Sequence, residues 1–373
     1  MKKKLLYLFS DTGGGHRSAA NAIINAVNHL QPEQYDQEMV DVFASCSSFL
    51  NIFAKLYSPV IKYYPKMWGQ LYYWLDDEKK LEMLEQMSRP FILEELIKLF
   101  QEKNPDGIIS VHPMVNHLTA RAIKQSGRHI PFIVVITDPV TLHRAWVTHD
   151  VDQYIVATPE ARENALKYGL PDDKIKVIGM PIDPKFFLRD KEKQVAREHE
   201  HLKPRAFTIL LMGGGEGAGK MLEIIEEIDR QKLAVQLIVI TGRNKSLETK
   251  LKKVSDKFSF PMRVFGFTDQ VHELMAESDL IVTKAGPGTI AEAMAMGLPI
   301  IITSWLPGQE EGNVEFVVRE NVGRVSQDPD KVVEIIKEMQ QPDEFAKYQE
   351  NIKRVSRPQA AIEIAQEIFS HLR

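Results

Sequence analysis

Eleven short apolar runs recur along the chain with helix-length segments between them, and this rhythm leaves few folds open. Strands that are apolar throughout, without alternation, must be covered on both faces, so the pattern predicts parallel sheets sandwiched by helices. In the first half the runs are Leu5–Phe9, Met39–Phe43, Gly107–Val111, Phe132–Thr137, Gln153–Ala157 and Ile175–Ile178. In the second they are Thr208–Met212, Gln236–Thr241, Arg263–Phe267, Leu280–Thr283 and Ile300–Thr303. Helices are expected between them, for example over Gly15–Leu30, Gly217–Arg230 and Thr289–Met296. Lys185–Arg205 is densely and evenly charged without apolar periodicity, which reads as a linker or a solvated helix. The expected architecture is therefore α/β, with two Rossmann-like domains facing across a cleft: 1–185, a linker 186–205, and 206–357. A last helix within 358–373 is expected to pack back on the first domain. Ligands of such folds sit at the carboxyl ends of the strands.

Charge and cysteine content narrow the class. Lys and Arg number 47 against 51 Asp and Glu, a net charge of −4, which argues against a nucleic-acid partner. No apolar run approaches the roughly 18 residues needed to span a bilayer. Met1–Phe9 has a basic start, but its apolar stretch is shorter than a signal core and runs straight into Ser10-Asp11-Thr12-Gly13. The single cysteine, Cys46, excludes an internal disulfide and a cysteine zinc site, and a cytoplasmic protein is expected. His112 and His117 are five apart, the wrong spacing for one helix face, and no metal is expected.

One stretch breaks the average. From Val42 to Leu75 there is no Asp or Glu, while Lys55, Lys62 and Lys66 are present. Residues 49–74 hold nine of the chain's 31 aromatic side chains, among them Trp68, Tyr72 and Trp74. Two readings compete: a helix pair with aromatics packed inside, or an interfacial segment with aromatics at headgroup level and lysines on anionic lipid.

The motifs cluster at strand ends. Ser10-Asp11-Thr12-Gly13-Gly14-Gly15-His16-Arg17 follows the first strand and opens a helix, where Gly14 and Gly15 let the backbone approach an anion. His16 at the positive end of a helix is biased toward neutral imidazole, the form a general base requires. Thr137-Asp138-Pro139 through His143-Arg144-Ala145-Trp146 closes another strand; Asp138 is a candidate to orient His16, and Trp146 a candidate to line an acceptor pocket. Gly213-Gly214-Gly215-Glu216-Gly217-Ala218-Gly219-Lys220 has P-loop spacing, but Met221 stands where Ser or Thr would hold magnesium. A glycine turn leaving room for a nucleotide fits better than an ATPase. In Lys284-Ala285-Gly286-Pro287-Gly288-Thr289, followed by Glu292, the glycines clear a helix start for a diphosphate and the carboxylate suits ribose hydroxyls. Gln309, Glu310 and Asn313 in Pro307-Gly308-Gln309-Glu310-Glu311-Gly312-Asn313 are placed at a second helix start and suit sugar hydroxyls. Asp150-Val151-Asp152 has the DxD spacing of metal-dependent sugar transferases but reads as a surface turn.

Taken in order, SDTGGGHR, TDPVTLHRAW, GGGEG, GPGTIAEA and PGQEEGN resemble the monogalactosyldiacylglycerol synthases and the bacterial processive diacylglycerol glucosyltransferases, over about Lys2 to Val355. That family is similar to the peptidoglycan N-acetylglucosaminyl transferase and shares its GT-B fold. The resemblance implies an inverting, metal-independent and cofactor-free transfer of a hexose from a UDP-sugar to diacylglycerol at an anionic membrane surface, on the inner face of the cell membrane. It makes His16 the base, with Asp138 beside it, and assigns the donor to Gly14, Gly15, Gly214, Gly215, Phe267, Lys284, Gly286, Pro287, Gly288, Thr289, Glu292, Gln309, Glu310 and Asn313. Trp68, Tyr72, Trp74 and Trp146 fall to the acceptor and membrane, so the interfacial reading of the aromatic stretch is preferred. SDTGGGHR looks more like the galactosyl enzymes and the 143–154 region more like the glucosyl ones; galactose is favoured, with processive glucosyl transfer the alternative. Outside this class, a P-loop ATPase or a non-catalytic UDP-sugar sensor remains. Oligomeric state is left open.

Overall fold

The computed structural model describes all residues except 1, 11–13, 47–59, 62–63, 189–201, 204, 215–218 and 373. In the first half β1 (Lys3–Phe9), α1 (Gly15–Leu30), β2 (Tyr35–Asp41), α2 (Val42–Cys46), α3 (Pro65–Leu75) and α4 (Glu78–Lys103) precede β3 (Gly107–Ser110). There follow α5 (Asn116–Gln125), β4 (Phe132–Val135), β5 (Gln153–Val156), α6 (Pro159–Lys167) and β6 (Ile175–Val177). The second half runs β7 (Thr208–Met212), α7 (Met221–Arg230), β8 (Gln236–Ile240), α8 (Lys245–Val254), β9 (Met262–Phe265), α9 (Val271–Ala276), β10 (Leu280–Lys284) and α10 (Pro287–Ala295). It closes with β11 (Ile300–Ser304), α11 (Glu311–Arg319), β12 (Gly323–Val325), α12 (Pro329–Met339), α13 (Pro342–Val355) and α14 (Ala360–His371).

Two six-stranded sheets result, ordered β2-β1-β3-β4-β5-β6 and β12-β11-β10-β7-β8-β9, and every pairing is parallel. Both orders are doubly wound. The strand order reverses between β1 and β3 in the first sheet and between β7 and β10 in the second. Those switch points are where such sheets open a crevice for ligands at their carboxyl ends.

Two strands depart from expectation. β2 begins at Tyr35, four residues before the predicted run, and Phe43 belongs to α2. As an edge strand it carries Asp36, Gln37 and Glu38 and is only partly buried, so it lacks the apolar signature of the inner strands. β12 is a three-residue edge strand, too short to register as a run.

The chain divides into two compact units, Met1–Pro184 with Leu306–Gly312 and Gln359–Arg373, and Lys185–Trp305 with Asn313–Pro358. In the first, α14 closes one face of the sheet. Ile364, Ala365, Ile368 and Leu372 are buried in one cluster with Leu5, Tyr7, Ile23 and Val27, and Phe369 stacks on Tyr35 at 5.1 Å. Leu306–Gly312, the stretch between β11 and α11, also belongs to the first unit, which sequence reading did not anticipate. Among the described residues no helix is long and apolar enough to cross a membrane.

Candidate active site

In the first unit the site grows from the switch point. Gly14 caps α1 at φ 88°, a left-handed conformation that glycine accepts without strain, and this turn delivers His16 to the first turn of the helix. His112 follows β3, the neighbour of β1, so the topology brings the two histidines together with ring centroids 4.6 Å apart, edge to face. Trp146 lies 6.3 Å from His16 on another side. Thr137 Oγ1 is 3.2 Å from His16 Nδ1.

Burial pushes the His16 imidazole down to about 4, against a hydrogen bond to the Val111 backbone that raises it. His112 is driven well below the ordinary histidine range by burial and then by His16. His16 is therefore a neutral base throughout the physiological range. Asp138 goes the other way: burial raises its carboxyl to about 6, opposed by the hydrogen bond from Trp146. Lowering the pH thus protonates Asp138 near 6 and His16 only near 4. In an Asp138→Asn variant, kcat/KM should stay flat from pH 8 to about 5 and halve near 4; half-loss at the ordinary histidine value of about 6.5 would show that His16 is not shielded in solution.

Two expected roles are corrected here. Asp138 does not orient His16: its Oδ2 accepts from Trp146 Nε1 at 2.6 Å, and the neighbouring Thr137 hydroxyl takes the place beside the imidazole. Trp146 does not line an open pocket: it is wholly buried in the core that includes Leu142 and Val147, so it serves as a wall behind His16. Sequence reading dismissed His112 because it sought metal spacing; its place after β3, next to β1 in the sheet, is the signal that identifies it.

In the second unit, the loop after β7 and the turn after β10 meet at the other switch point. Gly214 has φ 69°, and a Cβ there would stand 3.0 Å from Lys284 Cε. The Lys284 chain thus runs under the glycine loop toward the start of α10, where its Nζ lies 3.6 Å from the position a Gly286 Cβ would take. A lysine ammonium beside the positive end of a helix is unfavourable by itself and becomes favourable when an anion sits between them. Asn313 Nδ2 donates to the Ala285 carbonyl at 2.9 Å, and the Ala285 N–H donates to Ser304, which together fix the turn. Asn313 is thereby engaged in holding the backbone of this cradle. Thr289 and Glu292 are half-buried on α10, with Glu292 one turn beyond Gly288. Pro287 occupies the first helical position, where a missing N–H costs nothing. Phe267 is 67% exposed beneath the Arg243 guanidinium. Gly215 lies outside the described residues. Met221 is buried in the core under the sheet, which removes the magnesium-holding position a P-loop ATPase would need.

Three glycines of the motifs have no backbone reason to be glycine. Gly15, Gly286 and Gly288 avoid the positive-φ region; a Cβ would meet nothing within 4 Å at Gly15 or Gly288, and nothing nearer than 3.6 Å at Gly286. All three stand at helix starts whose caps use no side chain. The space they leave is not filled by the fold, and helix starts with open space over their N–H groups suit an anion.

Gln309 and Glu310 sit in the turn before α11 instead of on the helix, and both belong to the first unit. Glu310 is buried and its Oε2 accepts the Leu306 N–H at 2.9 Å, so it shapes the turn. Of the expected membrane residues Trp74 is 47% exposed, but Trp68 and Tyr72 are partly buried against this turn. The rest of the aromatic stretch, over 49–59 and 62–63, lies outside the described residues.

The sequence profile of monogalactosyldiacylglycerol (MGDG) synthase matches residues 16–182, and that of the glycosyltransferase family 28 C-terminal domain matches 208–368. The probable chloroplastic monogalactosyldiacylglycerol synthase of Glycine max is 34% identical over 383 residues, covering 100% of this chain and 72% of that protein. The chain belongs to the monogalactosyldiacylglycerol synthase family. Monogalactosyldiacylglycerol synthase 1 of Arabidopsis thaliana is 33% identical over 100% of this chain and 71% of its own length. Among solved structures, MurG of Acinetobacter baumannii superposes with a TM-score of 0.64 over 99% of both chains at 13% identity. HepE of Anabaena, solved in complex with UDP-glucose, gives 0.56 over 98% of both chains at 14% identity. At those identities the likeness bears on the fold alone, and that fold is GT-B, built from two Rossmann-like domains. As a member of the synthase family, the protein is a glycosyltransferase of glycolipid synthesis.

Proposed function

We propose that this synthase-family protein transfers a hexose, with galactose the favoured donor sugar, from a UDP-sugar to the free hydroxyl of 1,2-diacylglycerol with inversion. The observation that carries the reading is a neutral His16 at a helix start, flanked by a glycine whose missing side chain the fold does not require. His16 accepts the proton of the acceptor hydroxyl as that oxygen attacks the anomeric carbon. The bond from that carbon to the diphosphate oxygen breaks, UDP leaves from the opposite face, and a β-glycoside results. The charge that develops on the leaving diphosphate is met by the first N–H groups of α10 and by the Lys284 ammonium. Glu292 serves the ribose hydroxyls and Gln309 the sugar. The reading invokes no metal and no resident cofactor. Galactose is favoured because the relatives named above are monogalactosyldiacylglycerol synthases.

The acceptor reaches the enzyme at a lipid surface. Tyr64, Met67, Leu71 and Trp74 are 41–63% exposed and recur at helical spacing along α3 and the residue before it. Met83, Met87 and Phe91 form a second exposed row on α4 at intervals of four. Contiguous exposed apolar rows of this kind, with Lys66 and Lys80 alongside, suit anionic bilayers. The decisive assay supplies dioleoylglycerol in anionic vesicles with UDP-galactose or UDP-glucose in the presence of EDTA. Glycolipid should form, faster with UDP-galactose, and Met67→Ser with Trp74→Ser should weaken co-sedimentation with the vesicles. No glycolipid from either donor would overturn the reading.

A further inference from the structure

Helix α3 presents Tyr64, Met67, Leu71 and Trp74 outward, while Trp68, Gly69 and Tyr72 face the turn Leu306–Gly312. The fit on that inner side is close. A Cβ on Gly69 would lie 2.8 Å from the Pro307 Cβ and 3.3 Å from its carbonyl oxygen, so the proline ring rests on bare helix backbone. Gly308 turns at φ 78°, and a Cβ there would be 2.9 Å from the Tyr72 ring. The Tyr73 hydroxyl donates to Glu311 Oε2 at 2.5 Å. Trp68 Nε1 donates to Gln309 Oε1 at 3.2 Å.

The last contact has a chemical consequence. An indole N–H only donates, so its partner on Gln309 is necessarily the carbonyl oxygen. That assigns the two ends of the amide: the oxygen is held toward α3 and the NH2 group is the end directed away from it. A side chain whose orientation is fixed in this way presents donors, not acceptors, to a hydroxyl in its path.

We propose that Trp68 is a positioning residue for the donor sugar: it orients the Gln309 amide, and Gly69 allows α3 to come close enough for it to do so. The proposal rests on the reading of Gln309 as a sugar contact. Trp68 acts through Gln309, to which its indole N–H donates. Its effect therefore belongs to the hexose part of the donor and is absent from UDP itself.

Calorimetry with UDP-galactose and with UDP measures this without any acceptor. Trp68→Phe keeps an aromatic ring and deletes the N–H; it should weaken UDP-galactose binding about threefold to tenfold, the effect of one hydrogen bond, with UDP affinity and vesicle binding unchanged. Gly69→Ala, which forces Pro307 off the helix, should shift the same ratio in the same direction. In a Gln309→Ala background, Trp68→Phe should have no further effect, since the two changes remove one interaction. An unchanged UDP-galactose affinity in Trp68→Phe, an equal loss for UDP, or a full additional loss in the Gln309→Ala background overturns the proposal and leaves the donor-site reading standing. If Gln309→Ala itself leaves the ratio of the two affinities unchanged, the reading of Gln309 falls and the proposal with it.

Discussion

Replacing His16 by alanine is expected to lower kcat by about 10²- to 10⁴-fold, the contribution of a positioned general base, while UDP binds as before. The size of the loss follows from what the residue does in each half of the reaction coordinate. In the ground state the imidazole carries no charge, because burial holds its protonation down to about pH 4, so its removal takes no charge away from a bound nucleotide. On the proposed reading it takes up the acceptor proton in the transition state, and no other group described beside it is as well placed. Asp138 is engaged with the Trp146 indole, and His112, though 4.6 Å away, is buried beneath His16. Steady-state kinetics with vesicular diacylglycerol read the loss in kcat, and calorimetry with UDP reads the unchanged binding. A variant that keeps more than a tenth of the turnover would place the base elsewhere.

The Gly286→Ala and Gly288→Ala double variant should separate fold from function by sign. At Gly286 the backbone already has φ −68° and ψ 128°, which alanine adopts freely, and at Gly288 a methyl group enters open space in the first turn of α10. Removing two flexible glycines from compatible positions stabilises a fold by about 0.4–1 kcal/mol each through the unfolded state. Thermal melting should therefore rise slightly. Donor affinity should fall steeply, because the same methyl groups fill the space over the helix start. Overpacking of about 1–3 kcal/mol corresponds to a loss of about 5- to 150-fold. A higher melting temperature with lost UDP affinity is an outcome that simple structural damage does not produce. Unchanged UDP affinity would move the diphosphate away from α10.

What could be read from the residues was mostly what repeats. Wholly apolar inner strands and the glycine-punctuated helix starts are local signals, and α1 lies over Gly15–Leu30 as its pattern predicts. The polar first half of edge strand β2 and the three-residue β12 escaped because an edge needs little apolar surface. Within the site, the motif TDPVTLHRAW could be placed at a strand end, but not which of Thr137 and Asp138 faces His16. Consecutive residues at a strand end point to opposite sides, and only the register of β4 against its neighbours settles the choice. The docking of the Pro307–Glu311 turn on α3 spans more than two hundred positions of sequence and has no local signature beyond its glycines. Over its described residues, 64–74, the aromatic stretch has two sides, one exposed and one engaged with that turn.

The closure of the first sheet by α14 bears on how the protein is made. Ile364, Ile368 and Leu372 are buried against β1 and α1, and three such side chains stabilise the unit by about 5–9 kcal/mol, a large share of the 5–15 kcal/mol typical of a whole domain. Their partners Leu5 and Ile23 leave the ribosome before the strands of the second sheet, yet the covering helix emerges after them. Domains are usually completed in the order in which they are translated. Here the first domain is completed only after the second has been translated, and its apolar face must stay shielded until α14 emerges.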